Sequence, residues 1–406
     1  SYVKDTTDFM SKIRNVPCKE TDILVSADVT GLYTVINHEE GTAACKEALE
    51  TRAPDVKKAM PTHFLVKLIH LILSSNCFEF MGRFFRQVTG TAMGTPMAPS
   101  YANLYMTKIE TEMLDEYQRT TGLRPISWRR FLDDIFFLWP HGAESLQHFQ
   151  NFMQSFSTKK KMKTNLKFTF ETGDKVPFLD TTISISPTGK LKSDLFCKPT
   201  DAHLFLRQDS CHPKSCVKGL VKGEMLRVRR ICSNMADFMK RAREMKSYFV
   251  ERGFKAAEVE KTIQEVQEKE REETLRFKEK VKNDRVPFVI QYHPRLRALG
   301  KIMHKYFYLL KSNDRLKKAF TAAPMVAFKR LPNLGDQLIH TAMNETKTGE
   351  AQRCGTPRCQ CCQHLRESNR FKINGRTCFN RNGGNCKTEN VVYALKCKKC
   401  NLFYIG

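Results

Sequence analysis

The stretch RRFLDDIFFLW, residues 129–139, constrains the fold more than any other. Asp133 and Asp134 are adjacent like charges inside a run of aromatic and branched residues that favours β-strands. Burying two carboxylates side by side is costly unless something positive neutralises them, and the run itself supplies nothing between them. Asp-Asp is also an ordinary turn dipeptide. A hairpin over residues 128–140 is expected, with the Asp pair at its tip tolerating unusual backbone angles. The flanks leave little polar context to solvate the pair. A second isolated carboxylate, Asp28, ends an apolar segment within DILVSADVTGLYTVI (residues 22–36), which reads as a buried strand, a turn and a short helix. If the hairpin pairs beside that strand, three carboxylates converge on one sheet edge. Hard oxygen ligands of this kind hold divalent cations, magnesium or manganese in its place. Two such ions about 3.5–4 Å apart activate an attacking hydroxyl and stabilise a leaving pyrophosphate.

The rest of the chain supplies a basic scaffold. The formal charge is +25, and the excess runs from Lys4 to Lys399, so it is not one detachable arm. A polyanionic partner is expected. No apolar run reaches the roughly 20 residues of a bilayer span; FLVKLIHLIL is shorter and carries Lys67 and His70. A soluble protein without a membrane partner is therefore expected. Phe64, Leu65, Leu68, Ile69 and Ile72 recur at helical spacing over residues 61–73. A Gly-rich loop, RQVTGTAMGTP, leads into a helix from about Ser100, and its Gly90, Gly94 and Pro96 allow the backbone to come close to a ligand. Strands follow at LKFTFE and in a hairpin around Pro187–Gly189.

From about His212 the pattern turns helical and dense in cations. Lys214, Lys218, Lys222, Arg227, Arg229 and Arg230 suit phosphate contacts along a duplex, the alternative for each being a solvated surface charge. Ala256, Val259, Ile263 and Val266 keep a heptad spacing for only about two repeats within residues 255–282, so a solvated helix with one packed stripe is expected instead of a coiled coil. Eight of the fifteen cysteines lie between Cys354 and Cys400. That clustering points to metal, not to a secreted disulfide framework. Cys359/Cys362 and Cys397/Cys400 are CxxC pairs, and Cys354, Cys378 and Cys386 can complete tetrahedral zinc sites. Cys361 and His364 also lie within reach, so the ligand set stays open.

SADVTGLYTVI, QVTGTAMGTPMAPSYANLYM and RRFLDDIFFLW resemble, in order and spacing, successive palm motifs of reverse transcriptases, and their wording is similar to that of Penelope-like retroelements. PFLDTTISI, KPTDAHLFLRQDSCHPKSC, LRVRRICS and PMVAFKRLPNLGDQL resemble that family's palm end, thumb and linker. The resemblance implies that Asp28 and Asp133 are the main metal ligands, Asp134 a supporting one, and that the Val29 carbonyl lies near the second ion. It also makes the template–primer and nucleotide the ligand of the Gly-rich loop, and implies a sugar-contacting role for Tyr33, whose ring would clash with a 2′-hydroxyl, a substrate-pocket role for Gln87, and a zinc linker. The closing VVYALKCKKCNLFYIG resembles the opening of a GIY-YIG endonuclease, with Tyr393 and Tyr404 at its signature positions and Val-Val-Tyr in place of the first tripeptide.

The expected fold is α+β: a polymerase palm with partial fingers over residues 1–200, a helical thumb and basic linker over 201–345, a zinc linker over 346–388 and the start of an endonuclease domain over 389–406. The chain begins without Met and ends within a motif, so a fragment is expected, with finger residues and the nuclease Arg and Glu lying outside it. The expected function is RNA-directed DNA polymerase of a retrotransposon, using an RNA template, a DNA primer, their hybrid and deoxynucleoside triphosphates, with magnesium and zinc. A nuclear location follows from that function. The rival readings are a non-catalytic nucleic-acid-binding remnant and an endonuclease alone.

Overall fold

The computed structural model describes all residues except 277–284, 334, 336–348, 374–375, 381–382, 390, 392 and 406. Parts of the charge-rich segment ending at residue 282, of PMVAFKRLPNLGDQL, of the cysteine segment and of the Val-Val-Tyr tripeptide thus lie outside the described residues. The chain divides into two units, residues 1–78 with 85–331, and residues 79–84 with 332–406.

In the first unit, α1 (Thr6–Ile13) is capped by the Asp5 side chain and precedes β1 (Ile23–Val29). Gly31, left-handed at φ 61°, turns the chain into α2 (Leu32–Val35). Asn37 then caps α3 (His38–Glu50) by accepting from the Glu39 and Glu40 amides. Next come α4 (Pro54–Ala59), α5 (Thr62–Ser74), the short strands β2 (Cys77–Phe80) and β3 (Arg83–Arg86), whose residues 79–84 count with the second unit, and the long α6 (Ala98–Thr121). The expected hairpin is β4 (Ile126–Phe131) and β5 (Asp134–Trp139), followed by α7 (Ala143–Lys159) and β6 (Phe168–Gly173). A second sheet is built from β7 (Lys175–Phe178), β8 (Thr181–Ile185) and β9 (Leu191–Leu195).

The main sheet has the order β4-β5-β1-β6, all antiparallel. Its register sets Asp28 opposite Asp134. The apolar run after the Asp pair does not alternate because β5 has no wet face. Ile135, Phe137 and Trp139 enter one core with residues of α3, α6 and α7, while Phe136 and Leu138 enter another with α1, β7 and β8. The strand that opens on Asp134 is otherwise wholly apolar and buried, and burying each of its aromatic side chains contributes on the order of 1.5–3 kcal/mol.

Three helices follow: α8 (Lys214–Ile231), α9 (Met235–Glu251) and α10 (Ala256–Gln267) share a separate core with Leu195. Val259, Ile263 and Val266 are the packed stripe of α10. The short α11 (Arg271–Leu275) fastens the base of this bundle. Glu272 pairs with Arg14 at 2.6 Å, Arg230 donates to the Thr274 carbonyl, and Arg271 donates to the Arg230 carbonyl. The unit ends with β10 (Pro287–Gln291) parallel to β11 (Met325–Lys329), separated by the helical turns α12 (Leu299–Lys305), α13 (Phe307–Lys311) and α14 (Asp314–Ala319).

In the second unit, β12 (Arg370–Ile373) pairs with β13 (Arg376–Phe379), and β14 (Ala394–Lys396) with β15 (Phe403–Ile405). Among the described residues no helix is long and apolar enough to cross a membrane.

Candidate active site

The carboxylates are brought together by strand pairing. Asp28 sits one residue from the end of β1 and Asp134 opens β5, while the Val29 amide donates to the Asp133 carbonyl at 3.0 Å. Each Asp is partly exposed, whereas Val29 is fully buried. Burial and the charge of Asp133 raise the Asp28 carboxyl above its ordinary range. Asp134 is pushed up to about 6, first by burial and then by Asp133 and Asp28, with Lys198 opposing. The three groups therefore form one electrostatic unit short of positive charge. Its donors are all carboxylate oxygens, which fits magnesium or manganese and not a soft metal.

One local expectation is corrected. The residue in the left-handed region is Leu132, at φ 54°, and neither Asp takes that conformation. Asp134 needs extended backbone to pair with Asp28, so the turn's strain falls on the residue before the pair.

Tyr33 lies beside this cluster. Burial, and then the charge of Asp133, raise its phenol. The ring packs partly against the main core. The Gly-rich loop is fastened to the same helix: the Thr91 amide donates to the Tyr33 carbonyl at 2.6 Å, and the Gly90 amide to the Ile36 carbonyl at 2.9 Å. Here the expectation for Gly90 changes. Its backbone has φ +73°, and an added Cβ would lie 2.3 Å from the Tyr33 carbonyl oxygen, so its close approach is to the chain itself. Gly90→Ala is expected to cost on the order of 2–4 kcal/mol, from left-handed strain plus overpacking, read as a lower denaturant midpoint. Gly94 differs: a Cβ there meets nothing within 4 Å, and Gly94 and Pro96 are both exposed. Gln87 donates its side-chain amide to the Thr89 carbonyl within its own loop.

The six helical cations separate into two groups. Lys214 and Lys218 stand exposed on α8, and Lys222 is exposed while paired with Glu265 at 3.1 Å. The three arginines are engaged in the fold. Arg227 pairs with Asp180 and Glu224, Arg229 is buried over the Phe238 ring, and Arg230 bonds the Thr274 carbonyl and the Thr7 hydroxyl. Of the six, the lysines are the exposed cations, whereas Arg229 is buried and Arg227 and Arg230 are half-buried and held by partners within the fold.

In the second unit the cysteines sort themselves. Cys354, Cys359, Cys362 and Cys386 bring their sulfur atoms within 4.8 Å of one another. Hydrogen bonds from Thr356 draw the Cys354 thiol down to about 6, whereas the neighbouring Cys386 pushes Cys362 up to about 12. Four thiols crowded this way fit a tetrahedral zinc site. Cys378 lies outside that group, on β13 opposite Phe371. Cys397 and Cys400 also lie outside it, in the turn between β14 and β15, where the Asn401 amide donates to the Cys397 carbonyl. Tyr393 and Tyr404 have ring centroids 6.4 Å apart.

Sequence reasoning missed Arg130, Glu110 and Asn103, which meet behind the hairpin. The signal was present: in an antiparallel strand that buries alternate side chains, one of the two arginines in WRRF has to point inward.

Residues 4–183 match the family described as reverse transcriptase (RNA-dependent DNA polymerase), and residues 204–264, over α8, α9 and most of α10, match the animal helix-turn-helix domain. No curated protein matches the chain. Among solved structures it is similar to apo telomerase from Candida tropicalis truncated from the C-terminal domain, at 14% identity and TM-score 0.37, covering 48% of this chain and 41% of that one. It is similar to telomerase from Candida albicans in complex with a fragment of telomeric RNA, at 9% identity and TM-score 0.42, covering 65% and 52%. A third is the RNA-dependent RNA polymerase of a human picobirnavirus, at 12% identity and TM-score 0.41, covering 62% and 49%. The chain thus spans about half or less of the length of these structures. The segment that matches the reverse transcriptase family, residues 4 to 183, is the one that holds the carboxylates of the two paired strands.

Proposed function

We propose that this protein is the RNA-directed DNA polymerase of a Penelope-like retrotransposon. The observation that carries the reading is the β1–β5 register, which sets Asp28 against Asp134 with Asp133 and Tyr33 beside them, inside the reverse transcriptase domain. The reaction joins a primer 3′-hydroxyl oxygen to the α-phosphorus of a deoxynucleoside triphosphate and releases pyrophosphate. Asp28 and Asp133, supported by Asp134, would hold two magnesium ions, which supply charge neutralisation and activation of the hydroxyl. Tyr33 stands against the sugar and excludes a 2′-hydroxyl. The exposed backbone at Gly94 and Pro96 faces the nucleotide and template, and Lys214, Lys218 and Lys222 contact the phosphates of an RNA–DNA hybrid.

The four-cysteine cluster supports a zinc linker, and the paired strands bearing Tyr393 and Tyr404 are compatible with the opening of a GIY-YIG endonuclease. Priming at nicked chromosomal DNA would place the protein in the nucleus.

The test is primer extension by the full-length protein on an RNA template with magnesium, supplied with deoxy- or ribonucleotides. Extension with deoxynucleotides is expected, and Tyr33→Ala should relax discrimination against ribonucleotides on the order of tenfold or more. A folded protein that binds the hybrid and adds no nucleotide is a binding remnant, and the polymerase reading is then wrong. In binding assays, replacing Lys214 and Lys218 together with glutamine should lower the slope of log affinity against log salt by about 2. Arg227→Ala should instead lower the thermal midpoint.

A further inference from the structure

We infer that Arg130 is the positioning residue of the carboxylate turn, holding the Leu132 carbonyl and thereby the direction in which Asp133 and Asp134 leave the hairpin. The inference rests on the reading of those carboxylates as cation ligands. Arg130 is fully buried, an unusual place for a guanidinium, and each of its nitrogens has a partner. Nε donates to Glu110 Oε1 at 2.7 Å. One terminal nitrogen donates to Asn103 Oδ1 at 2.7 Å and to the Leu132 carbonyl at 3.0 Å. The other donates to the Asn103 carbonyl and the Thr107 hydroxyl, each at 3.2 Å.

Glu110 is held in turn. Trp128 Nε1 donates to its Oε1 at 2.9 Å, and the Ser1 hydroxyl to its Oε2 at 3.0 Å. Asn103, Thr107 and Glu110 lie on successive turns of α6, so the guanidinium joins one face of that helix to the hairpin tip. The Arg130 backbone is fixed as well, its amide donating to the Ser1 carbonyl and its own carbonyl accepting from the Val3 amide.

A device of this sort is needed at this point. Leu132 holds φ at 54°, a conformation that a branched apolar side chain adopts only when its surroundings impose it. Released, Leu132 relaxes toward negative φ, which rotates the following peptide and breaks the bond from the Val29 amide to the Asp133 carbonyl. Asp133 then no longer faces Asp28. A planar fork can bond Glu110, Asn103 and Leu132 together, and an ammonium at the same place cannot reach all three. The same helix α6 begins directly after the Gly-rich loop, so the fork also sets the spacing between that loop and the carboxylates.

The test uses the full-length protein with Arg130→Lys and, because that variant leaves Glu110 poorly paired and can fail to fold, Asn103→Ala, which keeps the Arg130–Glu110 pair. Arg241→Lys on α9, which disturbs the bidentate pair with Asp194 of β9, serves as a control for general destabilisation. Manganese binding is followed by electron paramagnetic resonance, and amide exchange over residues 27–31 by mass spectrometry without metal. Weaker manganese binding by about 10- to 100-fold is expected in both hairpin variants, with faster exchange at the Val29 peptide and neither change in the control. Unchanged exchange in a folded Asn103→Ala or Arg130→Lys protein overturns the positioning role. Faster exchange with unchanged manganese affinity, or with no manganese bound by the unaltered protein, leaves the clamp standing mechanically but overturns its link to cation binding. If neither hairpin variant folds while the control does, Arg130 is a core residue only and the inference fails.

Discussion

Asp133→Asn is expected to lower nucleotide addition by about 10³-fold or more, since the lost carboxylate removes several kcal/mol of metal-assisted stabilisation and each 1.36 kcal/mol is tenfold in rate. It should not unfold the protein. Asp133 contributes charge to a cluster already short of neutralisation, and in the absence of divalent cation its removal relieves repulsion on Asp28 and Asp134. The pH dependence of stability separates these effects. Asp134 holds its proton more tightly in the folded chain, at about 6, than its ordinary value of 3.8. The folded state therefore binds more protons between those values, and this contribution to stability, complete below pH 3.8, is lost as pH rises through about 6. In chelator, the thermal midpoint of Asp134→Asn should rise relative to the unaltered protein over that interval. Saturating magnesium should shrink the difference at neutral pH, because the cation offsets the repulsion only where both carboxylates are present. A difference that is flat with pH would remove the electrostatic account of the site.

The second large effect belongs to the cysteines. Cys362 is central to the four-thiol group, with sulfur–sulfur distances of 3.5 Å to Cys354 and 3.2 Å to Cys386, and the Cys354 amide also donates to its sulfur. Cys362→Ser is expected to abolish zinc retention at this site and to expose residues 349–389 to protease, because the binding energy of a structural zinc is folding energy for the segment that holds it. Cys378→Ser should retain that zinc. Metal content after gel filtration and the rate of limited proteolysis measure both. Equal loss in the two variants would show that the four-thiol set is wrongly drawn.

The parts of this molecule that were legible in the sequence are those where one local pattern decides the outcome. The place of the hairpin in RRFLDDIFFLW, the strand and turn around Asp28, and the packing of Val259, Ile263 and Val266 on α10 follow from local pattern, although the left-handed residue of the hairpin turn is Leu132 and Ala256 is exposed. Legibility failed where a residue's role depends on what lies across from it. Nothing in LRVRR distinguishes the inward Arg229 from a cation on the solvent face, because that depends on where Phe238 of the next helix falls. Gly90 reads as part of a substrate loop until the Tyr33 carbonyl is found 2.3 Å from its missing Cβ. Arg130 was missed because its role depends on the register of α6, which supplies Glu110, Thr107 and Asn103 from 20, 23 and 27 residues upstream. The cysteines were ambiguous for the same reason: spacing allows several sets of four, and only the folded path selects one.

The absence of a wet face on β5 also bears on which substitutions the chain can survive. A polar change at any of Ile135, Phe136, Phe137, Leu138 or Trp139 breaches a core on one side of the sheet or the other. Most hits in this strand therefore destroy the protein together with its chemistry. The narrow route to a folded but silent descendant runs through Asp28, Asp133 and Asp134, where substitution relieves repulsion instead of creating a defect. The three carboxylates thus cost the metal-free fold stability at the edge of its most tightly packed strand, so their place there is not explained by packing.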